Sequence, residues 1–277
     1  MKPASHRRRL IINADDFGRS AAINQAVIRG CQEGVLTTAS LMVNEPAAAE
    51  AVALARETPS LGVGLHLTLL CGTPALSPRE IPGLLDRRGR FTDSPLTAGF
   101  RYWFHKSLEM PLRAEIRAQF ARFKKTGMEL DHVNGHLHLH LHPTILRILI
   151  EEAETFGLKR IRLTCDPFWL NLRLARGRWV YRVLHAAVFH WLSAAARPII
   201  RPLRLKHPRF VFGLLQDGRV DETYVLNLME RLPAGDSELY SHPSVDEPQA
   251  ELKALLSPRV RNRIEELGIE RIRYQDL

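Results

Sequence analysis

Cysteine is scarce in this chain. There are three in 277 residues, Cys31, Cys71 and Cys165, and none belongs to a C-x-x-C pair. An odd, scattered set excludes a disulfide framework and fits reduced thiols in a cytoplasmic setting. Phosphate-cradling loops are also missing: neither G-x-G-x-x-G nor a Walker sequence follows any strand-like stretch, so a nucleotide fold has no support. No H-E-x-x-H, nucleophile elbow or catalytic Cys–His signature occurs, which argues against zincin, serine and cysteine chemistry. The stretch before Asn13 lacks the apolar core of a signal peptide. The longest charge-free apolar run, Val183–Ala196, falls short of the roughly 18 residues a spanning helix needs. The expectation is a soluble cytoplasmic protein, with peripheral contact to the inner membrane left open.

One further absence is local. Between Pro167 and Gln216 there is no Asp or Glu but nine Lys or Arg, and the other 30 basic residues are matched by 30 acidic ones. The net charge of +9 therefore comes from this one segment. Such asymmetry points to a local anionic partner.

What is present reads as strand followed by helix, repeatedly. Arg9–Ala14, Val35–Val43, Leu61–Thr68, Leu130–His138, Lys159–Thr164, Glu238–Ser241 and Ile272–Tyr274 are strand-like. Helical patterns follow at Ser20–Gly34, Pro46–Arg56, Leu112–Lys125, Thr144–Phe156, Asp221–Arg231 and Pro248–Leu267. This order implies parallel strands with helical crossovers. Seven or so such units in one domain spanning 1–277 favour an α/β fold of the closed (β/α) barrel, TIM-like type. Two irregular parts stand out: a Pro-rich, lid-like loop over 71–111, and a basic helical insertion over 168–210.

Barrel sites gather at the C-terminal ends of strands, and the reactive residues fall there. Asp15 and Asp16 close the first strand; Gly18 permits a sharp turn, so both carboxylates can reach one pocket in different roles. Otherwise they serve a turn or helix cap. By period two, His66 shares a face with Gly62 and Gly64, where a ligand has room. In His132-Val-Asn-Gly-His136-Leu-His138-Leu-His140-Leu-His142 the histidines alternate with leucine. His136 and His140 would lie about 13 Å apart on an extended strand, so one or two histidines bind an ion and the rest serve substrate or proton transfer. His242 follows another strand. Arg162 and Asp166 end the strand before the insertion, with Arg162 a partner for a catalytic aspartate or a substrate contact.

The motifs NADDFG, GLHL, NGHLHLH and SHP, in this order and spacing, resemble the YdjC-like (ChbG-type) carbohydrate deacetylases over nearly the whole chain. The resemblance implies a (β/α) barrel that removes acetyl groups from N-acetylated sugars with one divalent metal ion. It implies Asp16, His66 and His136 as metal ligands, Asp15 as general base and His242 as general acid. His138, His140 and Arg162 are then expected to contact substrate. Asn134 and Ser241 depart from residues frequent in the family, an aspartate and a cysteine. Two histidines and one carboxylate favour Zn2+, with Mg2+ as the other candidate.

The insertion carries Trp169, Trp179 and Trp191, with Arg178 and Arg182 one helical turn apart. It reads either as an interfacial membrane element or as an amphipathic lid on the barrel. Nucleic acid is not expected, since no groove-reading or base-stacking motif accompanies the charge. The hopanoid-associated members of the family carry a similar insertion, which implies a lipid-linked N-acetylglucosaminyl substrate. A soluble chito-oligosaccharide deacetylase, a catalytically silent lipid- or anion-binding barrel and a metal-dependent sugar isomerase are the competing readings.

Overall fold

A computed structural model describes residues 7–277. The first six residues, on which the signal-peptide reading partly rests, lie outside the described residues. The chain runs β1 (Arg8–Phe17), α1 (Ala21–Gln32), β2 (Thr38–Leu41), α2 (Ala48–Arg56), β3 (Gly62–Leu67), α3 (Pro95–Phe104), α4 (Glu109–Lys125) and β4 (Val133–Gly135). It continues with α5 (Pro143–Glu151), α6 (Ala153–Phe156), α7 (Phe168–Leu174), α8 (Trp179–Ile200), β5 (Phe210–Phe212), α9 (Glu222–Arg231), β6 (Gly235–Ser241), α10 (Ala250–Leu256), α11 (Pro258–Glu266) and β7 (Glu270–Ile272). Helix starts follow local chemistry: Ser20, Ser257 and Asp221 each accept a hydrogen bond from the backbone N–H three residues on.

All strand pairs are parallel, in the order β4-β3-β2-β1-β6-β5, with β7 joined to the N-terminal half of β1. Residues 160–165 bridge the remaining gap. The Arg162 N–H donates to the Val133 carbonyl, that of Ile161 to Lys206, and that of Val211 to Cys165. The ladder thus continues from β4 to β5 and the sheet curls round as the (β/α) barrel expectation requires. The strand expected over 159–164 supplies just isolated bridges.

Alternation along the strands sorts the two faces. Leu10, Ile12 and Ala14 of β1, Ala39 and Leu41 of β2, Val63, Leu65 and Leu67 of β3, and Leu239 of β6 belong to the large core beneath the helices. The opposite parity carries Asn13, Asp15, Thr38, Ser40, His66, Glu238 and Tyr240, all at most 2% exposed. The barrel interior is therefore a polar network rather than the usual layers of Val, Ile and Leu. Buried polar groups survive in that position because they bond to one another.

Several expectations change. The lid-like region 71–111 contains α3, capped by Ser94 and started by Pro95. The histidine-rich strand stops at Gly135; His136–Leu141 is a 3-10 turn, with Leu137 and His138 at φ of 49° and 58°. Gly64 does not leave room for a ligand: a Cβ there would meet the His132 ring at 2.5 Å. The helix running from Trp179 to Leu203 is, by length and composition, long and apolar enough to cross a membrane, contrary to the expectation from the charge-free run alone. It lies along the barrel, however: Arg182, Ser193, Ala196 and Ile200 are buried along its length.

Candidate metal centre

Asp15 and Asp16 reach one site because the backbone breaks strand geometry between them. Asp16 has φ of 64°, and the β1–β2 register shifts between Ala14 and Phe17. A left-handed non-glycine residue costs on the order of 1 kcal/mol, and such strain collects at functional sites. Asp15 then continues inward, while Asp16 turns toward the histidines.

Asp16 Oδ1 lies 2.9 Å from His136 Nδ1 and 3.2 Å from His66 Nε2, and Arg19 Nη1 donates to Asp16 Oδ2 at 2.7 Å. Ligand atoms of Asp16, His66 and His136 all lie within 4.8 Å of one another, and all three residues are buried. The expected ligand set is brought together from β1, β3 and the turn after β4. His66 Nδ1 faces Asn134 Oδ1 at 2.7 Å; an amide oxygen only accepts, so Nδ1 carries the proton and Nε2 turns its lone pair toward Asp16. Asn134 thus steadies His66.

These donors fit a divalent ion. Tetrahedral ligands at zinc bond lengths of about 2.0–2.1 Å stand about 3.3 Å apart, close to the two separations just given. Two imidazoles and one carboxylate leave a coordination position open, the arrangement of catalytic rather than structural sites. His136 is held up at about 9: burial pushes its imidazole down, and the hydrogen bonds its ring donates to Asp16 and toward Cys71 outweigh that.

Asp15 sits beside the ligands in a fully buried network. Arg162 Nη1 donates to Oδ2 at 2.6 Å, while Oδ1 accepts from Asn13 at 2.8 Å and Asn134 at 3.0 Å. Burial pushes the carboxyl up, but the Arg162 guanidinium holds it well below the usual carboxylate range. Arg162 also binds Glu238 at 2.6 Å, and Tyr274 Oη donates to Glu238 at 2.5 Å. Its side chain is wholly buried, so direct substrate contact by Arg162 is corrected to support of Asp15, the other role its position allowed.

His140 is corrected as well. It is 0% exposed, its Nε2 lies 3.0 Å from the Arg162 carbonyl, and burial drives it down to about 3. His138 lies nearer the opening, between Tyr240 Oη at 2.9 Å, Thr164 Oγ1 at 3.2 Å and the Phe189 ring at 5.1 Å. His242 has a side chain 32% exposed, with Nδ1 3.4 Å from Asp217 Oδ1 and its backbone N–H on Glu251 at 2.6 Å. Burial lowers its imidazole, but the charges of Asp16, Asp15, Glu251 and Asp217 raise it above the ordinary histidine value.

The insertion reaches this site. Phe189 of α8 packs on His138, Tyr181 Oη donates to the Leu214 carbonyl, and Arg178 donates to the carbonyl of Asp217, whose side chain faces His242. Of the expected membrane residues, Trp169, Trp179 and Trp191 are 78%, 69% and 57% exposed. Arg182 is not among them: it is buried, donating to Asn171 Oδ1 at 2.6 Å and the Ala175 carbonyl at 2.8 Å.

Sequence reasoning missed Asn13, Ser40, Glu238 and Tyr240 as members of the network. A glutamate directly before Leu239 and Tyr240 in a strand was the available signal, because a charge in a buried strand needs a partner.

Comparison with known proteins places the fold in a family. Residues 9–266 match the family described as YdjC-like protein. A carbohydrate deacetylase of Geobacillus stearothermophilus is 30% identical over 97% of this chain and 98% of its own length. One from Clostridium beijerinckii is 30% identical over 97% and 100%. One from Brevibacillus brevis is 42% identical, but over 53% of this chain and 56% of its own length. In structure, a candidate cellobiose-phosphate cleavage protein from Enterococcus faecalis shares the fold with a TM-score of 0.72 at 23% identity, covering 98% of both chains. With the family matched over nearly its full length, this chain belongs to the YdjC-like proteins.

Proposed function

We propose that the protein hydrolyses the acetamide of an N-acetylated sugar, as a carbohydrate deacetylase acting through one divalent ion. The carrying observation is the meeting of Asp16, His66 and His136 beside a permanently anionic Asp15. An ion held by these three, zinc by its donor set and magnesium as the second candidate, would supply Lewis acidity that acidifies water and polarises an acyl oxygen. Asp15 accepts the water proton at Oδ2, which has one hydrogen bond and so an unclaimed lone pair. Its weak basicity suits an acidified water rather than a free one. Arg162 and Asn134 fix the carboxylate's orientation and keep it charged. His242, whose imidazole neighbouring carboxylates raise above the ordinary histidine value, gives a proton to the leaving nitrogen, since an amine departs poorly as an anion. Acetate and a free amino sugar result.

The substrate read here is an N-acetylglucosaminyl headgroup on a lipid, a hopanoid by the resemblance of the insertion. Its support is that α8, which packs Phe189 on His138, turns an apolar face outward. Residues 7–277 then act as one catalytic domain, with the insertion as its membrane-facing part. The test is acetate release from N-acetylglucosaminyl lipid against soluble chitobiose, with each metal supplied in turn. Release with chitobiose alone would leave a soluble oligosaccharide deacetylase; no release from either defeats the reading. Asp15→Asn is expected to keep the metal and lose turnover by about 10²-fold or more, as for removal of a general base. Loss of metal on elemental analysis would contradict this division of roles.

A further inference from the structure

The outer face of α8 is unlike that of an ordinary surface helix. Trp179, Val180, Val183, Leu184, Val188, Trp191 and Ile199 recur at spacings of one, three, four and more residues and are all 40–69% exposed. Between buried Arg182 and exposed Arg197 this helix has no charged residue. Each large apolar side chain left in water forgoes roughly 1.5–3 kcal/mol of burial, so a face of seven points to something that covers it. The polarity is inverted from that of an amphipathic lid: the polar anchors Arg182 and Ser193 turn inward and the apolar stripe turns outward.

At the C-terminal end of the helix the chemistry changes abruptly. A cavity of about 660 Å³ is lined by Arg197, Arg201, Arg204, Lys206 and His207 over a floor of Ile200 and Leu205. Among the described residues no carboxylate pairs with any of its four full cations, and none lies anywhere in 167–216. Guanidinium groups clustered in a concave site suit a phosphate, which they bind through paired N–H donors. At the other end Arg176 and Arg178 are exposed, as are Trp169 and Trp179. Cations and tryptophans flanking an apolar stripe, on a helix lying along the protein body, are the arrangement of an in-plane interfacial helix.

We infer that the outer face of α8 and the cationic cavity at its end form one docking surface for a bilayer containing anionic phospholipid, with the cavity taking a lipid phosphate. The inference rests on the lipid-linked reading for its purpose, though not on the deacetylation chemistry. The full-length protein is floated with vesicles of phosphatidylcholine alone and of phosphatidylcholine mixed with phosphatidylglycerol. Strong, salt-sensitive flotation is expected with the anionic vesicles. Replacing two cavity cations (R201Q with R204Q) should weaken it roughly thirtyfold, about fivefold for each cation lost from the surface, and the charge reversal R201E with R204E should weaken it further. L184S with W191S should abolish flotation on both vesicles. Acetate release from soluble N-acetylglucosamine oligomers, measured on the same samples, should be unchanged in these variants and confirms that they fold. If the wild type releases acetate from neither these oligomers nor N-acetylglucosaminyl lipid yet floats as described, the deacetylase reading fails and the docking surface stands. Equal flotation of the wild type on both vesicles, or of the cavity variants and the wild type, overturns the inference. So does complete release by inorganic phosphate with no effect of L184S and W191S, which marks a soluble-anion site. A dimer by light scattering that L184S with W191S make monomeric assigns the face to a second copy and overturns it as well.

Discussion

Two adjacent aspartates do different work because one residue leaves strand geometry. Their types and position at a strand end were legible in the sequence, but the positive φ of Asp16 that splits their directions was not, because it is imposed by the surrounding contacts. The second surprise at this scale is Asn134, which donates to Asp15 and accepts from His66, tying proton acceptor to metal ligand. Asn134→Leu should lower zinc affinity about 10–100-fold, the usual effect of losing a ligand's hydrogen-bonded support, as read by calorimetric titration of the metal-stripped protein. Unchanged affinity would show that packing alone holds His66 in place. Arg162 bridges Asp15 and Glu238 with no access to water. Its removal in Arg162→Met leaves two buried carboxylates without a cation, and denaturant unfolding should show about 3–5 kcal/mol of lost stability. A surface-like loss below about 1 kcal/mol would mean that water reaches the pair.

Among the elements, β1, β3 and β6 were readable from alternation, since one parity meets the helices and the other the barrel interior. The turn after β4 was not. Alternating histidine and leucine mimics a strand, yet His136–Leu141 coils into a 3-10 turn whose left-handed Leu137 and His138 fan the histidines apart. This outcome sends His136 to the metal centre, His138 toward α8 and His140 into the core, a division that a regular strand could not achieve. The close approach of β3 and β4 that sets up the turn depends on Gly64, against which the His132 ring and backbone press. His132 Nε2 is in turn within 2.9 Å of Ser40 Oγ. A Cβ at 2.5 Å from that ring cannot be relieved by a flexible chain end. Gly64→Ala should therefore cost about 1–3 kcal/mol by overpacking and reduce metal binding through displaced His66. An unaltered melting temperature with intact metal binding would show that the two strands separate without consequence.

On the scale of the whole molecule, the basic insertion was legible as a composition, while its attachment to the barrel was not, because that attachment runs through buried polar groups far apart in sequence. Asp166, at the end of the barrel segment, accepts from Asn171 of α7 at 3.0 Å and from the Leu215 N–H at 3.1 Å. Asn171 donates to Tyr224 Oη of α9 at 3.1 Å and accepts from Arg182 of α8 at 2.6 Å. Burial pushes the Asp166 carboxyl up to about 7, against the lowering by the Leu215 N–H, Asn171, Arg182 and the Gly213 N–H. The sign follows from proton counting. Between the unfolded value near 4 and the folded value of about 7, the unfolded chain has released the proton that the folded one keeps. The contribution of Asp166 to stability is therefore complete below the unfolded value and is lost as pH rises through the folded one. At about 1.4 kcal/mol for each unit, the loss is on the order of 4 kcal/mol. Asp166→Asn removes the titration but keeps an amide that can bond to the same neighbours. The stability of the natural protein minus that of the variant, from denaturant unfolding at a series of pH values, should fall by that order between pH 4 and 8. A flat difference would mean that Asp166 stays charged in the fold with Arg182 as its true counter-ion. The joint between barrel and insertion would then hold through an ion pair rather than through a neutral carboxyl.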